Sequence, residues 1–446
     1  MGDAPDIEVL RRDAADGNPA AEYNLGVWNL TGGGAGAHLE AARPLFESSA
    51  GKGFAPAMSA LGYMYLRGQG VDTDYGTAAG WFRRAAAAGS AEAALRLSGL
   101  LASGCGVDRD PAASRATLES ASETGLPAAM SALAYCLANA IGGDRDGRAA
   151  ARWYQRAALA GDARAQCRLG AARELGDMLP VDRTEALAWY LRAAGRDYGD
   201  AAGAARRLAA ELPQEQVDGA RRLATATGTA SPELGPADAI TGTTLEVVCW
   251  SPRIFRIRRL LSDEECHHLV AAARPFLRRA LVLDRNSGDR IHDEARRSMN
   301  ARLADPLRDV VVCNVEERLS RCALLPPANA EPVSILRYGP GDEYRPHADY
   351  YDPARPGSAT GLAQGGQRLA TVLGYLNDVE GGGDTVFPKL DVSVIPRRRD
   401  GLLFFNCLPD GSPDPRTLHA GLPVKAGEKW LLSRWIRAGA FRPADL

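Results

Sequence analysis

The sequence predicts a multidomain α + β chain with two unlike parts. The first is an α-solenoid of helix–turn–helix repeats, and the second is a β-rich sandwich or jelly-roll domain. Two observations carry the prediction. Three separate sequence marks recur every 36 residues through the first half. Short apolar runs divided by turn residues fill the second half.

The repeat marks share one register. Leu25-Gly26 returns as Leu61-Gly62, Leu97-Ser98, Leu133-Ala134 and Leu169-Gly170. Leu45-Phe46 returns as Trp81-Phe82, Thr117-Leu118, Trp153-Tyr154 and Trp189-Tyr190. Gly53, Gly89, Gly125 and Gly161 form the third mark, with Asp197 in the fifth place. In the second unit Leu61, Met64 and Tyr65 keep helical spacing, Gly68 and Gly70 break the helix, and Trp81 and Phe82 open a second apolar face. One such pair cannot bury its face alone, so the units must stack. Residues 18–203 resemble Sel-one-like repeats, relatives of the tetratricopeptide repeat, and a capping helical pair is expected over about 200–226. The array, residues 1–226, would offer a surface for a protein or peptide partner.

Residues 227–242, TGTASPELGPADAITG, read as a linker. The domain at 243–446 then shows the runs LEVVCW, RIFRI, PVSILRY, LATVLGYL, GLLFF and KWLLSRWI as strands. Ser262 and Glu265 form a capping box for a helix over 262–276, and a second helix is expected over about 305–322.

Charge and cysteine use narrow the function. With 53 basic against 55 acidic residues, net −2, there is no cationic excess to neutralise phosphates, and a nucleic-acid partner is not expected. Eight cysteines without a C-x-x-C pair argue against a disulfide scaffold or a structural zinc site. No apolar stretch of ~18 residues and no apolar leader are present, so no membrane partner and a cytoplasmic location are expected.

Six histidines are present, and two carry a pattern. In ILRYGPGDEYRPHADYY, His347 and Asp349 are spaced i, i+2, which on a strand puts both side chains on one face. His419 precedes a further strand. Two histidines and one carboxylate on one face of an ion suit non-haem Fe(II), although zinc sites of this composition exist. Lys429, one of only four lysines, follows His419 by ten residues. On the returning strand its ammonium could meet the distal carboxylate of 2-oxoglutarate, a contact worth building only for an anionic cosubstrate.

With these words in place, residues 253–440 resemble the prolyl 4-hydroxylase-type Fe(II)/2-oxoglutarate dioxygenases. The matching segments are IFRIRRLLSDEEC, ARRSMNARL, ILRYGPGDEYRPHADYYDP, GGQRLATVLGYLNDVEGGGDTVFPKL and LHAGLPVKAGEKWLLSRWIR. The resemblance implies a double-stranded β-helix (jelly-roll) oxygenase domain. It implies Fe(II) on His347, Asp349 and His419. Lys429 and Thr385 would hold the distal carboxylate of 2-oxoglutarate, and Tyr338 would hydrogen-bond the cosubstrate. Arg368, Tyr344 and Trp435 match positions that shape the substrate mouth. O2 is the oxidant, and L-ascorbate is expected to rescue over-oxidised iron. Because Asp349 is present, hydroxylation is expected rather than halogenation. The leading acceptor is a prolyl residue of a protein or peptide recruited by the array. The alternatives are a free amino acid or small natural product, or a repeat adaptor with an inactive oxygenase domain. Thr371 reads as core, and His267-His268 as surface or helix packing.

Overall fold

The computed structural model describes residues 7–31, 38–176, 179–225, 243–283, 289–292 and 294–442. The linker assigned to 227–242 lies outside the described residues. The chain divides into two compact units: Met1–Ala160 with Arg308–Val310, and Gly161–Leu307 with Val311–Leu446.

The first unit is built of alternating helices in the expected register. Helix Ala55–Arg67 ends at Gly68, whose φ of 66° supplies the left-handed cap. Helix Tyr75–Ala87 starts at Asp74, whose side chain accepts the Thr77 N–H at 2.9 Å. Asp110, Asp146 and Asp182 cap their helices in the same way, so an aspartate every 36 residues is a further mark of the repeat. The Leu-Gly mark has a steric cause. A Cβ on Gly26 would lie 2.6 Å from the Phe46 ring, and one on Gly62 2.6 Å from the Phe82 ring. Where the ring is replaced by Leu118, the glycine gives way to Ser98.

The second unit begins with repeat helices. Ala163–Leu175, Arg183–Ala194, Ala201–Glu211 and Gln214–Thr225 precede the β-rich part. Helix Asp263–Ala273, opened by the Ser262–Glu265 capping box, packs against them. There Arg164 pairs with Glu264 at 2.7 Å, both buried, and the Asp200 N–H donates to His267 Nδ1 at 3.1 Å. His267 is a packing residue, 1% exposed. The helix expected from about 305 starts at Val310. Pro306 lacks an N–H and disfavours helix at the residue before it.

Among the described residues two large antiparallel sheets follow, with two two-stranded ribbons, Gly381–Gly382 with Val424–Ala426 and Val282–Leu283 with Arg290–Ile291. The major sheet runs Thr244–Cys249, Ile254–Arg258, Gly401–Phe405, Arg368–Tyr375, Lys429–Arg437, Ser334–Tyr338, Met299–Arg302 and Arg278–Arg279. The minor sheet runs Val392–Val394, Thr385–Phe387, His419–Gly421 and Tyr344–His347. Alternate residues of the major sheet serve two cores. Ile335, Val372, Leu403 and Leu432 pack with Leu269, Val315 and Leu319 of the helices. Leu336, Leu373, Leu402 and Leu431 pack with Phe387 and Val394 of the minor sheet. Burial on both faces is why these strands read as unbroken apolar runs. The site lies on the second side, between the sheets.

Candidate active site

His347 closes one strand of the minor sheet and His419 opens its neighbour, and the two are register partners. Asp349 sits beyond the end of the His347 strand, so strand alternation does not place it. The three groups nevertheless converge. Their ligand atoms all lie within 4.8 Å of one another. His347 Nε2 is 3.7 Å from Asp349 Oδ1, and His419 Nε2 is 3.7 Å from Asp349 Oδ2.

Backbone carbonyls fix both rings. His347 Nδ1 meets the Arg345 carbonyl at 2.9 Å, and His419 Nδ1 meets the Thr417 carbonyl at 3.0 Å. A carbonyl only accepts, so Nδ1 carries a proton in each ring and Nε2 is the nitrogen that faces Asp349. Tyr344 stacks on His347 at 3.5 Å, and Phe404 packs against His419 at 4.7 Å. Burial, followed by the neighbouring His419, pushes His347 down to about 3 and keeps the ring neutral. Burial alone would raise Asp349. His419, His347, Arg368 and the Thr371 hydrogen bond outweigh it and bring the carboxyl to about 2. Two imidazole Nε2 atoms and an ionised carboxylate are the donor set that a divalent cation takes.

A cleft of about 430 Å³, counting the space open to solvent, adjoins this cluster. Tyr338, Tyr344, Thr385, Lys429 and Trp435 line it together with His347, Asp349 and His419. Lys429 is 3% exposed and forms no ion pair among the described residues. It donates to the Gly383 carbonyl at 2.5 Å and lies 5.6 Å from the Tyr338 ring. Burial lowers its pKa to about 8 against a weaker opposing pull from Asp384. Thr385 accepts from Tyr375 Oη at 3.0 Å. A buried ammonium without a carboxylate partner, opening on a cleft beside a His–Asp–His cluster, fits an anionic ligand that also reaches the cation. The residues present therefore fit Fe(II) and 2-oxoglutarate.

Arg368 stands apart from the other expected residues, since it does not line the cleft. Its guanidinium pairs with Glu331 at 2.7 and 3.1 Å and lies 4.0 Å over the Trp435 ring. Glu331 is 1% exposed and also binds Arg437 at 2.8 Å. Arg368 thus braces one wall of the mouth through Trp435, whose buried indole N–H has no hydrogen-bond partner among the described residues.

Two further residues belong to the site. Thr371, read as core, donates to Asp349 Oδ2 at 2.8 Å and accepts from Asn406 Nδ2 at 2.9 Å. Its signal was available: Thr371, Leu373 and Tyr375 alternate onto the inter-sheet face, where a lone hydroxyl among apolar residues needs a partner. Arg296, 7% exposed, lines the cleft and lies 4.9 Å over the Tyr344 ring. No spacing rule links it to the histidines.

Comparison with known proteins agrees with this geometry. The profile of the 2OG-Fe(II) oxygenase superfamily matches residues 333–437. The Sel1 repeat profile matches 19–54, 55–90, 127–162 and 163–198. Probable prolyl 4-hydroxylase 8 of Arabidopsis thaliana is 38% identical over 211 residues, spanning 43% of this chain and 71% of the relative. Among solved structures, the viral collagen prolyl hydroxylase of Paramecium Bursaria Chlorella virus-1 is 31% identical, covering 43% of this chain and 99% of that one, TM-score 0.33. A Sel1 repeat protein from Oxalobacter formigenes is 28% identical, covering 42% of this chain and 78% of that one, TM-score 0.40. Among the described residues no helix is long and apolar enough to cross a membrane. With its inter-sheet His–Asp–His cluster and its sequence relatives, the chain belongs to the prolyl 4-hydroxylase family of 2-oxoglutarate-dependent Fe(II) dioxygenases.

Proposed function

We propose that the protein hydroxylates prolyl residues of a protein or peptide, with 2-oxoglutarate as cosubstrate and the repeat array as recruiting element. The observation that carries this reading is the pairing of a converged His–Asp–His cluster with a buried, uncompensated lysine in one cleft. His347, Asp349 and His419 would hold Fe(II). Lys429 and Thr385 would take the distal carboxylate of 2-oxoglutarate, and Tyr338 would hydrogen-bond it. Bound there, the metal and cosubstrate supply the O2-dependent oxidation that yields succinate, CO2 and a hydroxylated C–H bond.

The protein's own part is positioning and exclusion. Arg345 and Thr417 carbonyls hold the imidazoles in the metal-binding tautomer. Thr371 fixes the Asp349 carboxylate. Tyr344 and Trp435 form apolar walls at the mouth, where a pyrrolidine ring can pack, and Arg368 steadies Trp435 from behind. We further assign L-ascorbate as the reductant that restores the metal after uncoupled turnover. A reducing cytoplasmic setting suits the eight unpaired cysteines.

The test is succinate release from 2-oxoglutarate under air with a proline-rich peptide, with mass spectrometry of the peptide. The reading expects one added oxygen on a prolyl residue per succinate formed. Succinate released at the same rate with and without any prolyl peptide, together with stimulation by a free amino acid, would overturn the peptide assignment. No turnover by iron-loaded protein would favour the adaptor.

A further inference from the structure

The repeat array carries a groove where its pattern lapses. The four Sel1 matches pass over residues 91–126, yet helices Ala91–Ser103 and Pro111–Glu123 continue the fold in the same 36-residue register. The second, fourth and fifth repeats place an arginine three residues after the marker tryptophan. Arg84, Arg156 and Arg192 lie 4.3, 4.1 and 4.5 Å over the rings of Trp81, Trp153 and Trp189. The third repeat has Thr117 and Ser120 instead. Beside Ser120 a groove of about 760 Å³, counting space open to solvent, runs between helices Pro111–Glu123 and Gly147–Leu159. Leu133 and Leu137 form its floor and Trp153 one wall.

Its charge is one-sided. Glu119 and Glu123 are the only charged residues lining it. Arg115 takes one oxygen of Glu119 at 3.1 Å, and no ion pair involves Glu123 among the described residues. At the register of Glu119 the second repeat has Arg83, the fourth Gln155 and the fifth Leu191, while the first has Glu47, so the acidic residue is shared with the first repeat alone. A lysine or arginine can lay its aliphatic stem on Trp153 and the leucines while its cation reaches the two carboxylates.

We propose that this groove docks a cationic segment of the polypeptide substrate. The proposal rests on the reading that the array recruits that substrate, and it adds the chemistry of the recruited segment. The probes are fluorescein-labelled (Pro-Ala-Lys)4 and (Pro-Ala-Glu)4 peptides, followed by anisotropy with the full-length protein without iron or 2-oxoglutarate. The lysine peptide is expected to bind roughly tenfold more tightly at low salt, with the preference shrinking as salt rises. Two variants test the groove while leaving every active-site residue in place. Glu119→Gln with Ser120→Arg transplants the Gln155-Arg156 pair of the next repeat. Glu119→Gln with Glu123→Gln removes charge at constant volume. Both are expected to abolish the lysine preference with unchanged circular dichroism. Equal binding of the two peptides by the parent protein, or retention of the preference in the charge-neutral variant, overturns the proposal. Adding iron, 2-oxoglutarate and air separates the two readings. Lysine preference without hydroxylation sinks the prolyl-peptide reading and leaves the groove standing. Hydroxylation without lysine preference does the reverse.

Discussion

His347 and His419 are direct register partners across two antiparallel strands, with ring centroids 4.3 Å apart. Two imidazoles held that close are tolerable because burial keeps the His347 ring neutral and both rings turn Nε2 to the same carboxylate. Replacing either histidine by alanine removes one donor and leaves the rest of the ladder intact. Each variant is therefore expected to fold as the parent and to lose stoichiometric metal. The check is metal content by mass spectrometry after loading with Fe(II) or Co(II) and gel filtration. A His347→Ala protein that keeps one equivalent of metal would mean that the cation lies elsewhere.

Thr371 supports the same site from one position back. Its hydroxyl accepts from Asn406 and donates to Asp349, so the carboxylate is aimed by a chain of two hydrogen bonds. Thr371→Val keeps the shape and removes the donor. Partners of metal ligands are worth ~10–100-fold in metal affinity. A loss of that size is expected by Co(II) titration of the metal-free protein, with Thr371→Ser restoring most of it. Unchanged affinity in Thr371→Val would reduce Thr371 to packing.

Lys429 sets a pH dependence with opposite signs for stability and binding. Burial places its pKa at about 8, below the usual 10.5. Between those values the unfolded chain binds the extra proton, so this group makes stability rise with pH. At neutral pH the buried ammonium costs roughly 3 kcal/mol. A dicarboxylate prefers the protonated form. Its affinity is therefore expected to fall as pH rises past about 8, approaching tenfold per unit. Lys429→Met is expected to melt higher than the parent without ligand and to bind 2-oxoglutarate weakly and without this slope. Calorimetric titration from pH 7 to 9.5 checks it. A flat profile in the parent would place the distal carboxylate on another group.

The parts that were legible are those written in local period or short spacing. Repeat boundaries followed from marks 36 residues apart, because each mark has a steric job such as Gly62 against Phe82. His347 and Asp349 are two residues apart, His419 and Lys429 ten, and all four meet in the cleft. What stayed hidden depends on pairings between distant segments. Glu331 captures Arg368 across 37 residues and Arg437 across 106, and no local spacing announces either pairing. The second compact unit likewise begins at Gly161, inside the repeats, and within it Glu264 finds Arg164 a hundred residues earlier.

That last pairing predicts where the chain can be cut. Removing residues 1–160 leaves helices Ala163–Leu175 and Ala201–Glu211 on helix Asp263–Ala273. Removing residues 1–226 strips them away and exposes Glu264 and His267, which are 4% and 1% exposed in the whole chain. Glu264 would also lose its guanidinium partner. Breaking such a buried pair costs ~3–5 kcal/mol, which for a domain of this size is a drop of roughly 5–15 °C in Tm. A protein starting at residue 161 is therefore expected to melt in one transition and to bind 2-oxoglutarate like the full chain. One starting at residue 227 is expected to melt far lower or to aggregate. Arg164→Ala in the longer fragment should reproduce part of the loss. Differential scanning calorimetry on the three proteins decides the matter. Equal melting of both fragments would mean that the last repeats only ride on the catalytic domain.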